Sequence, residues 1–451
     1  MSTHLASGPD GPHALRPLLH TVLDALTDGT RARSGPLPAG GPHTIAARLR
    51  DTVGNVLPEH GDPHALHTLV RALAEGAADP AHPLCAGHLH CPPLAVAAAA
   101  DLAATILNPS LDSWDQAPAA STLETLVTRQ LAHETGAADA LVTTGGTESN
   151  HLALLLARET QGPHLTLVCG ANAHHSLPRA AWLLGLPDPV ILPTPTGTLD
   201  PTTLADTLHQ TPGPHLVAAT AGTTDAGLID PLPDIATHTT THHARLHIDA
   251  AYGGGLLFSP RRRHQLNGLE KAHTTTLDLH KLGWQPIAAG LLTVRDPHDL
   301  THLNHHAHYL NADDDTEAGL PDLLGRSTRT TRRPDILKIA VTLKTLGRTG
   351  LATLIDHVCD RAHELATLIE THPHLDLYAH PTLSTVLFRP THATDDTVAA
   401  LRRTLLTHGH AVLGRAHLDG RLWLKATLLN PTTRTADLAA LLALVEGHTP
   451  A

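Results

Sequence analysis

Short apolar and β-branched runs recur through the middle of the chain with helical segments between them: LVTT at 141–144, LTLVC at 165–169, VIL at 190–192, LVAAT at 216–220 and LHI at 246–248. Runs this short suit buried strands better than helices. Parallel strands need helical crossovers, so this alternation predicts an α/β fold built on a doubly wound, mainly parallel sheet. In such sheets ligands are met at the carboxyl ends of the strands.

The residues just past these ends carry the chemistry. Asp249 closes the run LHID, and Lys281 follows in TTTLDLHKLGWQP. Lysine occurs only at 271, 281, 338, 344 and 425, so one in a mostly apolar segment is poorly explained as surface decoration. A carboxylate at a strand end and a lone amine are what a pyridoxal phosphate site requires. The amine condenses with the cofactor aldehyde, and the carboxylate keeps the ring nitrogen protonated. A buried ion pair is the alternative reading of the same two residues. The run ending at Thr144 leads into GGTESN and then HLALLLARE. Strand, glycine turn and helix N-terminus point backbone N–H groups at a phosphate, with Gly146 and the Thr147 hydroxyl as candidates. The same turn could simply join two elements, and GxxxxGK[ST] is absent.

The wording is more specific than the spacing. HIDAAYGG and DLHKLGWQP resemble the cofactor segments of the group II pyridoxal-phosphate decarboxylases. HLHCPP, DSWDQAPAA, HYLN, DDDTEAG and TTRRPDILK are similar to the L-2,4-diaminobutyrate decarboxylase branch. The resemblance spans about residues 80–450. It implies an aspartate-aminotransferase-like fold (fold type I), with an N-terminal helical arm at 1–80, a large cofactor domain at 81–350 and a small α+β domain at 351–451. It implies pyridoxal 5′-phosphate on Lys281, Asp249 at the ring nitrogen, and His174 stacked on the ring as a candidate acid/base group. Gly146, Thr147, Glu148, Thr223, Ala251, Asp278 and His280 complete the expected cofactor contacts. Asp112 and Cys91 are expected in the substrate pocket, with Asp112 placed to meet a distal ammonium group; a local loop contact is its other reading. The implied reaction is decarboxylation of an L-amino acid of the 2,4-diaminobutyrate, ornithine or lysine type, in a homodimer with shared active sites.

One departure matters. Aromatic-amino-acid decarboxylases carry a tyrosine in the mobile loop that returns a proton to carbon, and this chain has none between Asn311 and Arg333. The proton donor is left open between His174, a residue of a partner subunit and water. Decarboxylation-dependent oxidative deamination to an aldehyde therefore competes with the simple lyase reading, and a non-catalytic cofactor-binding protein is a third. DLHKLGWQP also departs from the aromatic-rich wording of the diaminobutyrate branch, which bears on the substrate. The polar stretch 295–334 has the length of a functional or mobile loop.

The bulk properties are those of an ordinary globular chain. At 451 residues, 41% hydrophobic and 16% charged, it can bury a full core. A formal charge of −12 gives no basic footprint for nucleic acid or anionic membrane. The beginning of the chain shows no basic segment followed by an apolar one, and the run 94–107 is too short to span a bilayer. Cys85, Cys91, Cys169 and Cys359 have no framework or metal-ligand spacing, so a reduced, cytoplasmic protein is expected. The 39 histidines include His242-His243 and His305-His306-x-His308, without a zinc motif, and no metal is expected. Further elements read as a helix at 15–26, an Ala-rich helix after Pro92-Pro93 buried on most sides, a buried Trp114, and a helix capped at Ser121 through Glu124.

Overall fold

The computed structural model describes residues 4–449 apart from His306, His308 and Tyr309, so part of the 305–308 histidine cluster and of HYLN lies outside the described residues. The chain forms two compact units. One takes in Met1–His88, His363–His380 and Val386–Ala451; the other takes in Leu89–Ala362 and Pro381–Thr385.

The larger unit is built on a seven-stranded sheet. In chain order its strands are β1 (Asp139–Thr143), β2 (Thr166–Gly170), β3 (Val190–Leu192), β4 (His215–Thr220), β5 (Arg245–Ala250), β6 (Thr274–Asp278) and β7 (Gly290–Val294). They lie in the order β1-β7-β6-β5-β4-β2-β3. The pairs from β6 through β3 are parallel, whereas β7 runs antiparallel to both β1 and β6. The alternation therefore predicts the parallel part correctly. It misses β7, whose run GLLTV looks like any buried strand and gives no sign of its direction. β4 and β5 are buried at every position, so their sequences show no polar alternation.

Helix Gly146–Gln161 fixes one edge of the future site. It gives Leu154 to a core cluster with Leu165, Leu167, Leu177 and Leu216, and Leu152 and Leu156 to another with Leu141, Leu292 and Val294. Burial on two sides holds its N-terminus at the sheet's carboxyl edge.

Three local expectations are corrected. The Ala-rich helix Ala95–Leu107 buries only a stripe, Ala97, Ala100 and Ala104, while its other alanines are exposed or half-buried. Trp114 is 37% exposed, standing on a turn rather than in the core. The next helix begins at Pro118, whose fixed φ suits a first turn, so Ser121 is already inside it and bonds back to the Ala117 carbonyl. Glu124 is then free to form a buried two-bond pair with Arg332 at 2.8 and 2.9 Å.

The stretch 295–334 is partly fastened. Arg326 pairs with Asp139, Arg329 with Glu148, Arg332 with Glu124 and Arg333 with Asp101, so four arginines tie its end to four places in the unit. Residues 313–321, including the short helix Asp313–Glu317, are exposed.

The other unit contains helices Gly11–Arg33, Gly41–Val53 and Ala65–Gly76 and a five-stranded sheet. At Gly29 a Cβ would come within 2.4 Å of the Arg71 carbonyl oxygen, so glycine lets the first and third helices approach. Cys85–Ala86 pairs with Val412–Leu418, a strand not singled out from sequence, which pairs in turn with Arg421–Thr427.

Candidate active site

The carboxyl ends of β1, β4, β5 and β6 open onto a cavity of about 300 Å³, within the range of small-ligand sites. Thr144, Gly145, Gly146, Thr147 and Glu148 form one wall. His174, Asp249, Ala251, Asp278, His280 and Lys281 also line it.

Asp249 ends β5 inside a closed network. Its Oδ1 accepts from the Ala251 N–H at 3.0 Å and its Oδ2 from the Asn150 amide at 2.8 Å. Asn150 Nδ2 also donates to Ser176 Oγ at 2.9 Å, while its Oδ1 accepts from Thr276 Oγ1 at 2.8 Å and His247 Nε2 at 3.0 Å. Every hydrogen-bonding position of that amide is used. His247 is wholly buried, and burial pushes its pKa down to about 4, so the ring is neutral near pH 7. Its Nε2 carries the proton, and Nδ1 is left to accept from Thr274 Oγ1 at 2.9 Å.

His174 belongs to the same network. Its Nδ1 lies 2.7 Å from Ser176 Oγ and accepts from the Ser176 N–H at 3.3 Å, which leaves the proton of the neutral ring on Nε2. Burial first, opposed by Asp249, holds its pKa below the ordinary histidine value.

The turn after β6 is less saturated. Lys281 Nζ is 2.8 Å from Asp278 Oδ2, and His280 Nε2 is 3.5 Å from the same oxygen. Asp278 Oδ1 is buried and has no hydrogen-bond partner among the described residues. Burial lowers the His280 pKa. The turn is braced from outside: Cys91 Sγ donates to the His280 carbonyl at 3.1 Å, and Leu94 N–H to that of Trp284 at 2.9 Å. Burial raises the Cys91 thiol to about 12, so it acts as a brace rather than as a thiolate.

The glycine turn faces this region closely. A Cβ on Gly145, where φ is +154°, would come within 2.9 Å of His280 Cε1. One on Gly146 would lie 3.1 Å from both Ala251 Cβ and Asp278 Oδ2. Only bare backbone leaves room there for an anionic group at the helix N-terminus. An acid at a strand end, a lysine and this cradle in one cavity fit pyridoxal phosphate.

Gly146, Thr147, Glu148, His174, Asp249, Ala251, Asp278, His280 and Lys281 are thus brought together as the sequence suggests. Thr223 is not in the wall; its Oγ1 accepts from Leu228 N–H, and Thr220, Gly222 and Thr224 line the cavity instead. Asp112 is buried outside the lining and accepts from the Gln116 side chain at 2.8 Å. Cys91 also lies outside it. Sequence reasoning passed over Asn150, Ser176, His247 and Tyr252. Asn150 stands in the quoted GGTESN, one helical turn beyond Gly146, which was the available signal. Tyr252 lines the cavity with its hydroxyl on Ser384 and Thr385, at 2.8 and 3.0 Å, and burial raises its pKa to about 12.

Comparison with known proteins agrees with this geometry. The family model described as the pyridoxal-dependent decarboxylase conserved domain matches residues 57–391. An L-2,4-diaminobutyrate decarboxylase of Rhizobium meliloti is 39% identical over 95% of this chain and 90% of its own length. Another, from Acinetobacter baumannii, is 32% identical over 81% of this chain and 79% of its own. The solved glutamate decarboxylase domain of the diaminobutyrate-pyruvate transaminase and L-2,4-diaminobutyrate decarboxylase from Vibrio parahaemolyticus superposes with a TM-score of 0.86 at 31% identity, covering 99% of this chain and 97% of that one. Oryza sativa TDC with PLP and tryptamine, 23% identical, shares the fold with a TM-score of 0.89, covering 98% and 99% of the two chains. The fold is that of fold type I, the cofactor is pyridoxal phosphate, and this chain belongs to the pyridoxal-dependent decarboxylase family as an amino acid carboxy-lyase.

Proposed function

We propose that this enzyme decarboxylates a basic L-amino acid of the 2,4-diaminobutyrate, ornithine or lysine type. The observation that carries the reading is the charge of the wall: Glu148, Asp249 and Asp278 supply three carboxylates against the single amine of Lys281, and no arginine lines it among the described residues. His174 and His280 do not offset this near neutral pH, because burial lowers both. Arg329 reaches Glu148 Oε1 at 3.1 Å without joining the wall. Such a field favours a substrate with a second ammonium and disfavours one with a second carboxylate. The two diaminobutyrate decarboxylase relatives support the same substrate class. Asp112 lies outside this wall with its carboxylate bonded to Gln116, so it would act on that ammonium only through its charge at a distance.

Pyridoxal phosphate, when bound, supplies the electron sink for breaking the Cα–carboxylate bond. Lys281 is the residue that tethers it, Asp249 the one that holds a proton at the ring nitrogen, and the glycine turn with Thr147 the cradle for its phosphate. Asn150 and Ala251 fix both Asp249 oxygens, so its carboxylate cannot rotate away. His174, with its proton on Nε2 and Nδ1 anchored by Ser176, is the group proposed to return a proton to carbon. We also propose a cytoplasmic homodimer whose subunits share active sites; the four cysteines form no disulfide, and Trp182, Leu183 and Ile287 are exposed apolar side chains that association would cover.

CO₂ release from diaminobutyrate, ornithine and lysine, set against aspartate and glutamate, tests the substrate reading. Turnover confined to the acidic pair would overturn it. The lack of a loop tyrosine between Asn311 and Arg333 supports a second reading, decarboxylation coupled to oxidative deamination. Oxygen consumption with ammonia and aldehyde as products would favour that reading, while amine and CO₂ in equal amounts would favour the simple lyase. Sedimentation of the loaded enzyme tests the dimer.

A further inference from the structure

Asp278 has a use that tethering the cofactor does not explain. The residue is only 6% exposed, and Oδ1 has no hydrogen-bond partner among the described residues. Oδ2 faces Lys281 at 2.8 Å and lies 3.1 Å from the position a Gly146 Cβ would take, beside the turn read above as the phosphate cradle. A buried acceptor without a donor is costly, and a phosphate brought beside it adds like charge.

The other charged groups facing this region do not relieve the conflict. On the same turn, His280 stands 3.5 Å from Oδ2, with its pKa lowered because burial outweighs the opposing pull of Asp278, and lowered further by Lys281 and Lys338. On the helix after β1, Glu148 is acidic and already engaged by Thr144 and Arg329. Asp249, at the end of β5, has both oxygens filled, and His174, on the loop after β2, is lowered by burial. A proton is the smallest donor that satisfies Oδ1 and removes the repulsion together.

We propose that the cofactor phosphate is bound with one extra proton, shared between a phosphate oxygen and the Asp278 carboxyl, so that loading takes up a proton above the phosphate's own titration range. The inference rests on the proposed cradle. No bond is made or broken other than to this proton, which comes from solvent.

Pyridoxine phosphate, which has the ring and phosphate but no aldehyde, separates this event from capture by Lys281. A phosphate ester loses its second proton near pH 6, so near pH 8 the free probe is a dianion. The whole chain should then take up about one proton per probe bound, with the phosphorus NMR signal at the monoanion position, and affinity should fall about tenfold per pH unit above that range. Asp278→Asn should abolish the uptake and flatten the profile. A dianion signal without uptake in the wild type overturns the proposal, as does undiminished uptake in Asp278→Asn. If that variant does not fold, the wild-type phosphorus signal decides alone. Borohydride trapping of pyridoxal phosphate on Lys281 tests the cofactor site separately. Trapping without proton uptake defeats only this inference, whereas neither trapping nor probe binding defeats the site and the inference with it.

Discussion

The ends of β5 and β6 are neighbours in one sheet, yet their carboxylates live differently. At Asp249 both oxygens are filled, and the amide that fills one of them is itself saturated by Ser176, Thr276 and His247. At Asp278 one oxygen holds Lys281 and the other holds nothing among the described residues. A filled network fixes a group whose position must not change. An unfilled one leaves bonding capacity for a ligand, at a cost in stability that functional sites commonly carry. The difference separates a residue that orients chemistry from one that waits for a partner.

The contrast can be broken most severely at Asp249. Asp249→Ala should lower CO₂ release about 10³-fold, the scale of removing a buried charged group from a reacting centre. The variant should still bind cofactor through the phosphate cradle, which absorbance on titration would show. Unchanged turnover would remove the ring-nitrogen role. Asn150→Ala should follow, costing about 3 kcal/mol in chemical denaturation, because Asp249, Ser176, Thr276 and His247 all lose a buried partner. A loss below about 0.5 kcal/mol, the size of a surface change, would mean the network is not a unit.

Acid offers a comparable test of the filled side. His247 has its folded pKa lowered from 6.5 to about 4, so the unfolded chain binds the extra proton first. Stability should fall as pH drops through that window, by about 3 kcal/mol from this residue, and its contribution should change no further below it. Denaturation midpoints across the window, in wild type and His247→Gln, would show it; an identical slope in both would reject the assignment. The smallest effect is expected on the unfilled side. Asp278→Asn should change stability by less than about 1 kcal/mol, since removing the unbonded buried charge offsets the loss of the Lys281 pair. A loss as large as that of Asn150→Ala would erase the distinction between the two ends.

Much of this site was legible from the chain alone because its chemistry collects at strand ends. Asp249, His174 and the glycine turn each follow an apolar run, and Lys281 is scarce in kind. What could not be read was partnership. Asn150 looks like any polar residue in the first turns of a helix, and its four bonds reach residues far along the chain. Arg326, Arg329, Arg332 and Arg333 look like the polar text of a loose loop, yet each finds an acid on another element. Thr223 and Thr224 differ by one position, and only the turn's geometry puts the second in the wall. The direction of β7 and the pairing of Cys85–Ala86 with Val412–Leu418 are likewise long-range facts, invisible to local propensity.

The account depends on Lys281 carrying the cofactor. Borohydride reduction of the enzyme loaded with pyridoxal phosphate, followed by peptide mapping, examines that directly. The adduct is predicted on the peptide containing Lys281 and should vanish in Lys281→Ala together with the yellow absorbance and all turnover. An adduct on another lysine, or none while CO₂ is still released, would contradict it.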